Sequence, residues 1–159
     1  QNEADAVLTL DNHIFHAEYV IAREERSGVH FVADSENPLC EREELFPEDL
    51  AGQPFLLTEK GMSYRRLMDE RLAQMSLEVQ PILEIGSTNR ICPLVEQGVG
   101  ISFLPDYVTE EKVRAGRLRY LPVKNFEIEI WKQLLYHRDK WVTPQLESAL
   151  AYLSEREFR

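Results

Sequence analysis

The sequence is short of the features that mark secreted, membrane and fibrous proteins. Its two cysteines, Cys40 and Cys92, are too few for the disulfide framework of a small secreted domain. No apolar run approaches the roughly 18 residues that a membrane span needs, and no signal peptide opens the chain. Seven glycines and eight prolines exclude a collagen-like or low-complexity chain. We therefore predict a soluble cytoplasmic domain with both thiols reduced and no contact with a membrane.

Positive charge is also scarce. The chain has 18 lysines and arginines against 28 aspartates and glutamates, a formal net charge of -10. Affinity for nucleic acids depends mainly on basic side chains that neutralise phosphates, so we do not expect this chain to bind DNA unaided. Its 159 residues are enough for one core or for two small lobes that share a cleft.

Signatures of catalysis and of cofactor binding are absent. The sequence has no nucleophile elbow, P-loop or dinucleotide fingerprint, and Gly98–Gly100 is predicted to be a tight turn. His13 and His16 stand three residues apart without a third metal ligand, so we predict a surface turn. His30 and His137 fall in extended segments, where backbone groups can satisfy an imidazole. We predict neither an enzyme nor a metal or cofactor site.

The middle of the chain alternates short β-rich runs with amphipathic helical patterns. Such alternation indicates βαβ units with right-handed crossovers and a mainly parallel sheet that is covered on both faces. The predicted order is a strand at 54–58, a helix at 63–75, a strand at 81–85, a helix from Ser87 or Thr88 to Gly98, a strand at 99–104, a helix at 106–115 closed by Gly116, and a strand at 118–123.

The first two of these helices carry more detailed expectations. Pro93 interrupts the second, because proline lacks an amide donor, and we expect a late start or a kink. In the first, Tyr64, Leu67, Met68, Leu72 and Met75 share one face, and Arg65, Arg66, Asp69 and Glu70 are expected to point away from it.

Longer extended segments flank this alternating region. Residues 28–33 and 128–137 are rich in β-branched and aromatic residues, and 4–10 and 19–22 also suggest strands. Thr143 as N-cap and Pro144 at the first helical position open a last helix. Its predicted apolar stripe is Leu146, Ala149, Leu150 and Leu153. The acidic segment 41–49 is predicted to be a solvated linker.

Two strand-to-helix loops favour ligand binding. Ligands in α/β sheets bind beyond the carboxyl ends of the strands, where helix N-termini present amide donors to anions. Thr58 to Ser63 and Gly86 to Thr88 are such loops. The alternative is that Ser63 and Ser87 only cap their helices.

Five segments together closely resemble the effector-binding domain of LysR-type transcriptional regulators. Three are long: Leu56 to Leu67, Leu83 to Ser87 and Leu94 to Pro105. Two are short: Asn37-Pro38-Leu39, with asparagine where the family has histidine, and Asp49 to Gly52. Their order and spacing make the resemblance specific, and it covers nearly the whole chain.

The resemblance implies an α/β fold of the periplasmic-binding-protein type 2, in which two Rossmann-like subdomains are joined by two crossover strands. It implies that the first subdomain is incomplete and that the missing N-terminal part holds a winged helix-turn-helix domain. The implied division is subdomain I with the first crossover at 1–33, a linker at 34–53, subdomain II at 54–125, and the second crossover with the C-terminal helix at 126–159.

A small effector, with a small anion as our guess, would then bind between the subdomains. The partners implied are a second copy, as homodimer or tetramer, and DNA through the missing domain only. Two alternatives stay open: a solute-binding protein for uptake, and a dehydratase or related lyase. The implied effector contacts are Thr58, Lys60, Gly61, Met62, Ser63, Gly86, Ser87 and Thr88, with Thr9, Leu10 and Asp11 as candidates from subdomain I.

Overall fold

The computed structural model divides into two compact units, Gln1–Ser27 with Glu129–Arg159, and Gly28–Ile128. It describes residues 4–139 and 141–159. The strands are β1 (Ala6–Asp11), β2 (Tyr19–Asp34), β3 (Phe55–Leu57), β4 (Pro81–Glu84), β5 (Ser102–Pro105), β6 (Leu118–Tyr120) and β7 (Ile128–His137). The α-helices are α1 (Pro47–Leu50), α2 (Ser63–Gln74), α3 (Thr88–Glu96), α4 (Asp106–Arg114) and α5 (Pro144–Arg156). No helix in these ranges is long and apolar enough to cross a membrane.

The first unit is built on β7, which lies between β1 and β2 in the sheet order. β1 pairs with β7 in antiparallel register, from Ala6 opposite Tyr136 to Asp11 opposite Trp131. α5 begins as predicted, because Thr143 accepts a hydrogen bond from the Leu146 amide at 3.1 Å. None of the apolar stripe of α5 is fully buried, however, so this helix packs less tightly than its sequence pattern suggests.

A buried glutamine orders the segment between β1 and β2. The amide group of Gln133 donates to the Ile14 carbonyl at 3.0 Å and accepts from the Ile14 amide at 2.8 Å. It also donates to Glu24 Oε1 at 2.9 Å, and the same oxygen lies 2.8 Å from His13 Nε2. His13 and His16 are both exposed, and the Tyr19 amide bonds back to the His16 carbonyl, so the predicted surface turn is confirmed.

The second unit contains the predicted βαβ pattern, with less parallel sheet than expected. β3 and β4 pair in parallel, and an isolated parallel bridge joins Phe55 to Ile101. β5 and β6 instead pair with β2 in antiparallel register. The expectation of a mainly parallel sheet was wrong, because the long strand β2 runs opposite to the strands of the βαβ units.

The core of this unit is aromatic. Phe31 of β2 lies in ring contact with Phe55, Phe103 and Phe126, at centroid distances of 6.0, 4.6 and 5.0 Å. Apolar positions of α2 and α3 are also buried, including the thiol of Cys92, whose packing in a helix was expected. Coverage of the sheet is incomplete, since Ile82 and Leu83 of β4 are exposed.

The structure corrects two local expectations. α3 begins at Thr88 and continues through Pro93, so a late start was wrong. Pro93 lies on the exposed side, where water can satisfy the carbonyl that its missing amide leaves free. The acidic segment 41–49 is not simply a solvated linker, because it carries most of α1 and because Leu45 is completely buried.

Candidate functional site

The two loops predicted to bind ligand lie side by side in the second unit. Each follows one strand of the parallel pair β3 and β4, whose ends are in register at Leu57 and Glu84. A Cβ atom at Gly86 would lie 3.1 Å from Glu59 Oε1, so the side chain of the first loop reaches the backbone of the second. Gly61 has open space where a side chain would stand. The loops therefore form one continuous polar surface.

The N-termini of α2 and α3 open onto these loops without side-chain caps. The N-cap of α2 is Met62, and Ser63 is already the first helical residue. Ser87 is the N-cap of α3, but its hydroxyl makes no capping hydrogen bond. The interpretation that Ser63 and Ser87 only cap their helices was therefore wrong. As at any helix N-terminus, the first amides of α2 and α3 have no carbonyl one turn earlier in the helix to donate to.

Arg65 joins the strands beneath the loops. Its Nη1 donates to the Thr58 carbonyl at 2.7 Å and to Glu84 Oε2 at 2.8 Å, and its Nε donates to Asp69 Oδ2 at 3.0 Å. The side chain is only 4% exposed. The prediction that Arg65 points away from the core was wrong. The helical pattern places Asp69 one turn after Arg65, where the two side chains can pair. It gives no indication of Glu84, which belongs to the strand β4.

Thr58 and Tyr64 form the buried floor of the first loop. Burial raises the pKa of the Tyr64 phenol, and a side-chain contact with Thr58 opposes part of that shift. Within residues 4–139 and 141–159 the phenol oxygen makes no hydrogen bond that meets ordinary geometric limits. The Tyr64 hydroxyl is therefore buried beside Thr58 with only a weak contact to it.

Lys60, from the first loop, lines a polar cavity of about 480 Å³. Arg65 and residues 78–84 form the remaining wall. Lys60 and Glu59 are both exposed, so the two loops carry one charge of each sign. The lysine favours an anion near the helix N-termini, and the glutamate opposes one at Gly86.

The candidates from β1 lie in the first unit. Thr9, Leu10 and Asp11 stand opposite Gln133, Lys132 and Trp131 of β7 and are half-buried. Asp11 Oδ1 accepts from the Asn12 amide at 2.7 Å, which fixes the end of the strand. Their part in effector binding stays a prediction.

His30 has a partner that the sequence did not indicate. Its Nδ1 lies 2.6 Å from Oδ1 of Asp106, the first residue of α4, and its ring packs on Tyr120 at 4.7 Å. The expectation of backbone partners was therefore wrong for His30. For His137 it was correct, since Nδ1 accepts from the Asp139 amide. No group of three metal-ligating side chains occurs in the part of the chain that the structure describes.

The pair of His30 and Asp106 should make stability depend on pH. The hydrogen bond to Asp106 raises the pKa of His30, partial burial lowers it, and the charge of Asp106 raises it further. The pair therefore stabilises the fold fully below the unfolded-state pKa of about 6.5, and this contribution is lost as the pH rises through the folded-state value.

We expect the stability difference between the wild type and Asp106→Asn to shrink from about pH 5.5 to about pH 8.5. Urea unfolding of both proteins at the two pH values measures it, and the NMR titration of the His30 ring in each protein is the control. A difference that is the same at both pH values would contradict the assignment.

The fold and the paired loops define a class of protein: α/β binding modules of the periplasmic-binding-protein type 2. A family model described as the LysR substrate binding domain matches residues 1–157. The chain therefore belongs to the LysR substrate-binding domain family.

Individual relatives agree with this membership. The uncharacterized HTH-type transcriptional regulator YwqM of Bacillus subtilis is 29% identical over the whole chain, which spans 53% of YwqM. The regulatory domain of CcmR from Synechocystis PCC6803, solved in complex with 2-PG, superposes with a TM-score of 0.74 at 20% identity over 93% of this chain and 72% of that one. The effector-binding domain of QuiR, solved with shikimate, gives 0.69 at 15% identity over 96% and 73%. This chain thus spans about half the length of YwqM.

Proposed function

We propose that this chain senses a small-molecule effector for a LysR-type transcriptional regulator. The observation that carries the proposal is the meeting of two uncapped helix N-termini at the adjoining loops Thr58–Ser63 and Gly86–Thr88. Each loop contributes main-chain amides and hydroxyl side chains, and Gly61 leaves open space beside its backbone. Sites of this kind, with a few convergent polar groups on a rigid scaffold, are typical of ligand binding in α/β proteins.

The effector we propose is a small anion. Two helix N-termini present positive partial charge, and Lys60 adds a full charge at the same surface. The carboxylate of Glu59 next to Gly86 lowers affinity for a second negative group. A compact effector with its charge at one end fits this arrangement best. Thr9, Leu10 and Asp11 are the proposed contributors from the first unit.

In this proposal the effector acts by shifting an equilibrium between arrangements of the domain. A ligand that binds one arrangement more tightly increases its population by the ratio of the two affinities. DNA would be bound by a winged helix-turn-helix domain of the full-length protein. The net charge of -10 on this chain agrees with DNA binding by a separate domain. We propose a cytoplasmic homodimer or tetramer.

The two alternatives receive no support. The curated relatives are transcriptional regulators, which speaks against an uptake protein. The family is likewise one of regulators and not of enzymes.

Calorimetric titration of the full-length protein with a panel of metabolite anions tests the proposal. We expect Ser63→Ala and Ser87→Ala each to weaken binding of the active metabolite by about fivefold to tenfold, as for the loss of one ordinary hydrogen bond. Ser148→Ala, on the exposed side of α5, is the matched control. Unchanged affinity in both loop variants would refute the proposed site.

A further inference from the structure

We propose that Tyr64 positions the Thr58 hydroxyl for the bound effector, through a hydrogen bond that tightens when the effector binds. This inference rests on the proposed function and adds to it a residue that does not touch the ligand. Tyr64 is the second residue of α2, and its side chain is only 1% exposed. A phenol buried so deeply cannot meet an effector at the surface of the loops, so it acts through a neighbour.

The Tyr64 hydroxyl lacks a hydrogen-bond partner. In the ranges 4–139 and 141–159 it is the only buried side-chain nitrogen or oxygen without one. Burial raises the pKa of the phenol, so the group keeps its proton at neutral pH and is a donor. A buried donor without an acceptor costs free energy, which a closer contact would recover.

Thr58 is the acceptor that lies beside this phenol. Its side chain opposes part of the rise in the pKa of Tyr64, which places the two hydroxyls next to each other. The other polar neighbour is the thiol of Cys92 on α3, which raises the pKa further. A thiol is only a weak acceptor, so Thr58 is the partner that can satisfy Tyr64.

The backbone of Thr58 is fixed, which leaves its hydroxyl free to turn. Thr58 directly follows β3, is 2% exposed, and accepts a hydrogen bond from Arg65 Nη1 at its carbonyl, at 2.7 Å. A threonine hydroxyl has one hydrogen to donate and two positions that accept. When Thr58 accepts from Tyr64, its own hydrogen must point elsewhere, and the bond that it donates becomes stronger. An anion at the loop Thr58–Ser63 then receives a hydrogen bond whose direction Tyr64 has set.

The experiment follows the binding of acetate to the full-length protein through the methyl resonance of Met62, the N-cap of α2. Acetate is a carboxylate with a single charge, and we expect a Kd on the order of 10 mM. Tyr64→Phe keeps the ring and removes only the hydroxyl, so it should weaken acetate binding by about threefold to fivefold. Because the hydroxyl makes no ordinary hydrogen bond, the same substitution should not lower the midpoint of urea unfolding.

A double-mutant cycle tests whether Tyr64 acts through Thr58. Thr58→Val keeps the shape of the side chain and should weaken acetate binding by about fivefold to tenfold. The double variant should bind acetate about as well as Thr58→Val alone, since the phenol has no effect once its acceptor is gone. Tyr120→Phe is the matched control, because that phenol also lies beside a threonine, 3.2 Å from Thr109 Oγ1. Its affinity should stay within about twofold of the wild type.

The ring carbon Cζ of Tyr64 gives a spectroscopic signature that packing alone would not produce. In protein labelled with ¹³C at this carbon of tyrosine, its resonance reports the hydrogen bond of the phenol. We expect it to move when acetate saturates the wild type and to stay in place in Thr58→Val.

Three results would overturn the inference: no saturable shift of Met62 with acetate, wild-type affinity in Tyr64→Phe, or losses that add up in the double variant. The metabolite titration with Ser63→Ala and Ser87→Ala depends on neither Tyr64 nor Thr58. If that titration succeeded while the acetate experiment failed, the loops would bind the effector without help from Tyr64, and the proposed function would stand.

Discussion

Replacing Phe31 by alanine should lower the free energy of unfolding by about 3–5 kcal/mol. Phe31 is 3% exposed, and its ring contacts three other phenylalanines in the core of the second unit. The rings come from β2, β3, β5 and the segment before β7, so the truncation leaves a void among four parts of the chain. Rigid backbone on all sides prevents the void from collapsing, which places the cost in the upper range for such changes.

Urea unfolding followed by circular dichroism measures this effect as a lower midpoint with an unchanged slope. Phe15→Ala is the matched control, because its ring is almost fully exposed and its loss should cost less than about 0.5 kcal/mol. Equal destabilisation by the two substitutions would show that the Phe31 cluster is not the core of the second unit.

Local sequence signals predicted the elements whose determinants lie close together in the chain. α5 is an example, because Thr143 and Pro144 supply the cap and the first helical residue within two positions. The bounds of β7 agree with the predicted extended segment 128–137, where β-branched and aromatic residues are dense. Gly116 has a φ of +82°, as a residue that ends α4 by turning left-handed requires.

Features that depend on strand order could not be predicted from local pattern. The alternation of strand and helix patterns predicted the βαβ units correctly. Nothing in the sequences of β5 and β6 indicates that their partner is β2 or that the pairing is antiparallel. His30 shows the same limit, since its partner Asp106 is 76 residues away in the chain. Long-range pairing is a property of the assembled sheet, and single segments carry little information about it.

The candidate site could be predicted only in part, because some of its features are local in the sequence and others depend on the folded geometry. Strand-to-helix loops can be recognised locally, and the structure brings Thr58–Ser63 and Gly86–Thr88 together because their strands are neighbours. The capping state of the helices was not predictable, because Ser63 and Ser87 have the right residue type for a cap and yet make no capping bond. Whether a hydroxyl caps a helix depends on loop geometry, which residue type alone does not determine.

Substituting Arg65 with methionine should destabilise the protein by about 2–3 kcal/mol. Methionine fills much of the same space, so most of the cost is the loss of the bond to the buried Thr58 carbonyl and of two ion pairs. Asp69 and Glu84 are each about 40% exposed and can regain water, which keeps the loss below that of a fully buried pair.

The same substitution should weaken effector binding, because the Thr58 loop then loses the guanidinium that holds it to β4. Urea unfolding gives the stability, and amide hydrogen exchange of residues 58–63 gives the order of the loop. Arg114→Met is the matched control: its ion pair with Glu110 is also one helical turn apart, is long at 3.5 Å, and leaves the arginine 70% exposed, so the substitution should change stability by less than about 0.5 kcal/mol. If Arg65→Met were as mild as Arg114→Met, the buried guanidinium would not be what organises the loop. If exchange at 58–63 were unchanged while stability fell, Arg65 would support the fold without positioning the effector surface.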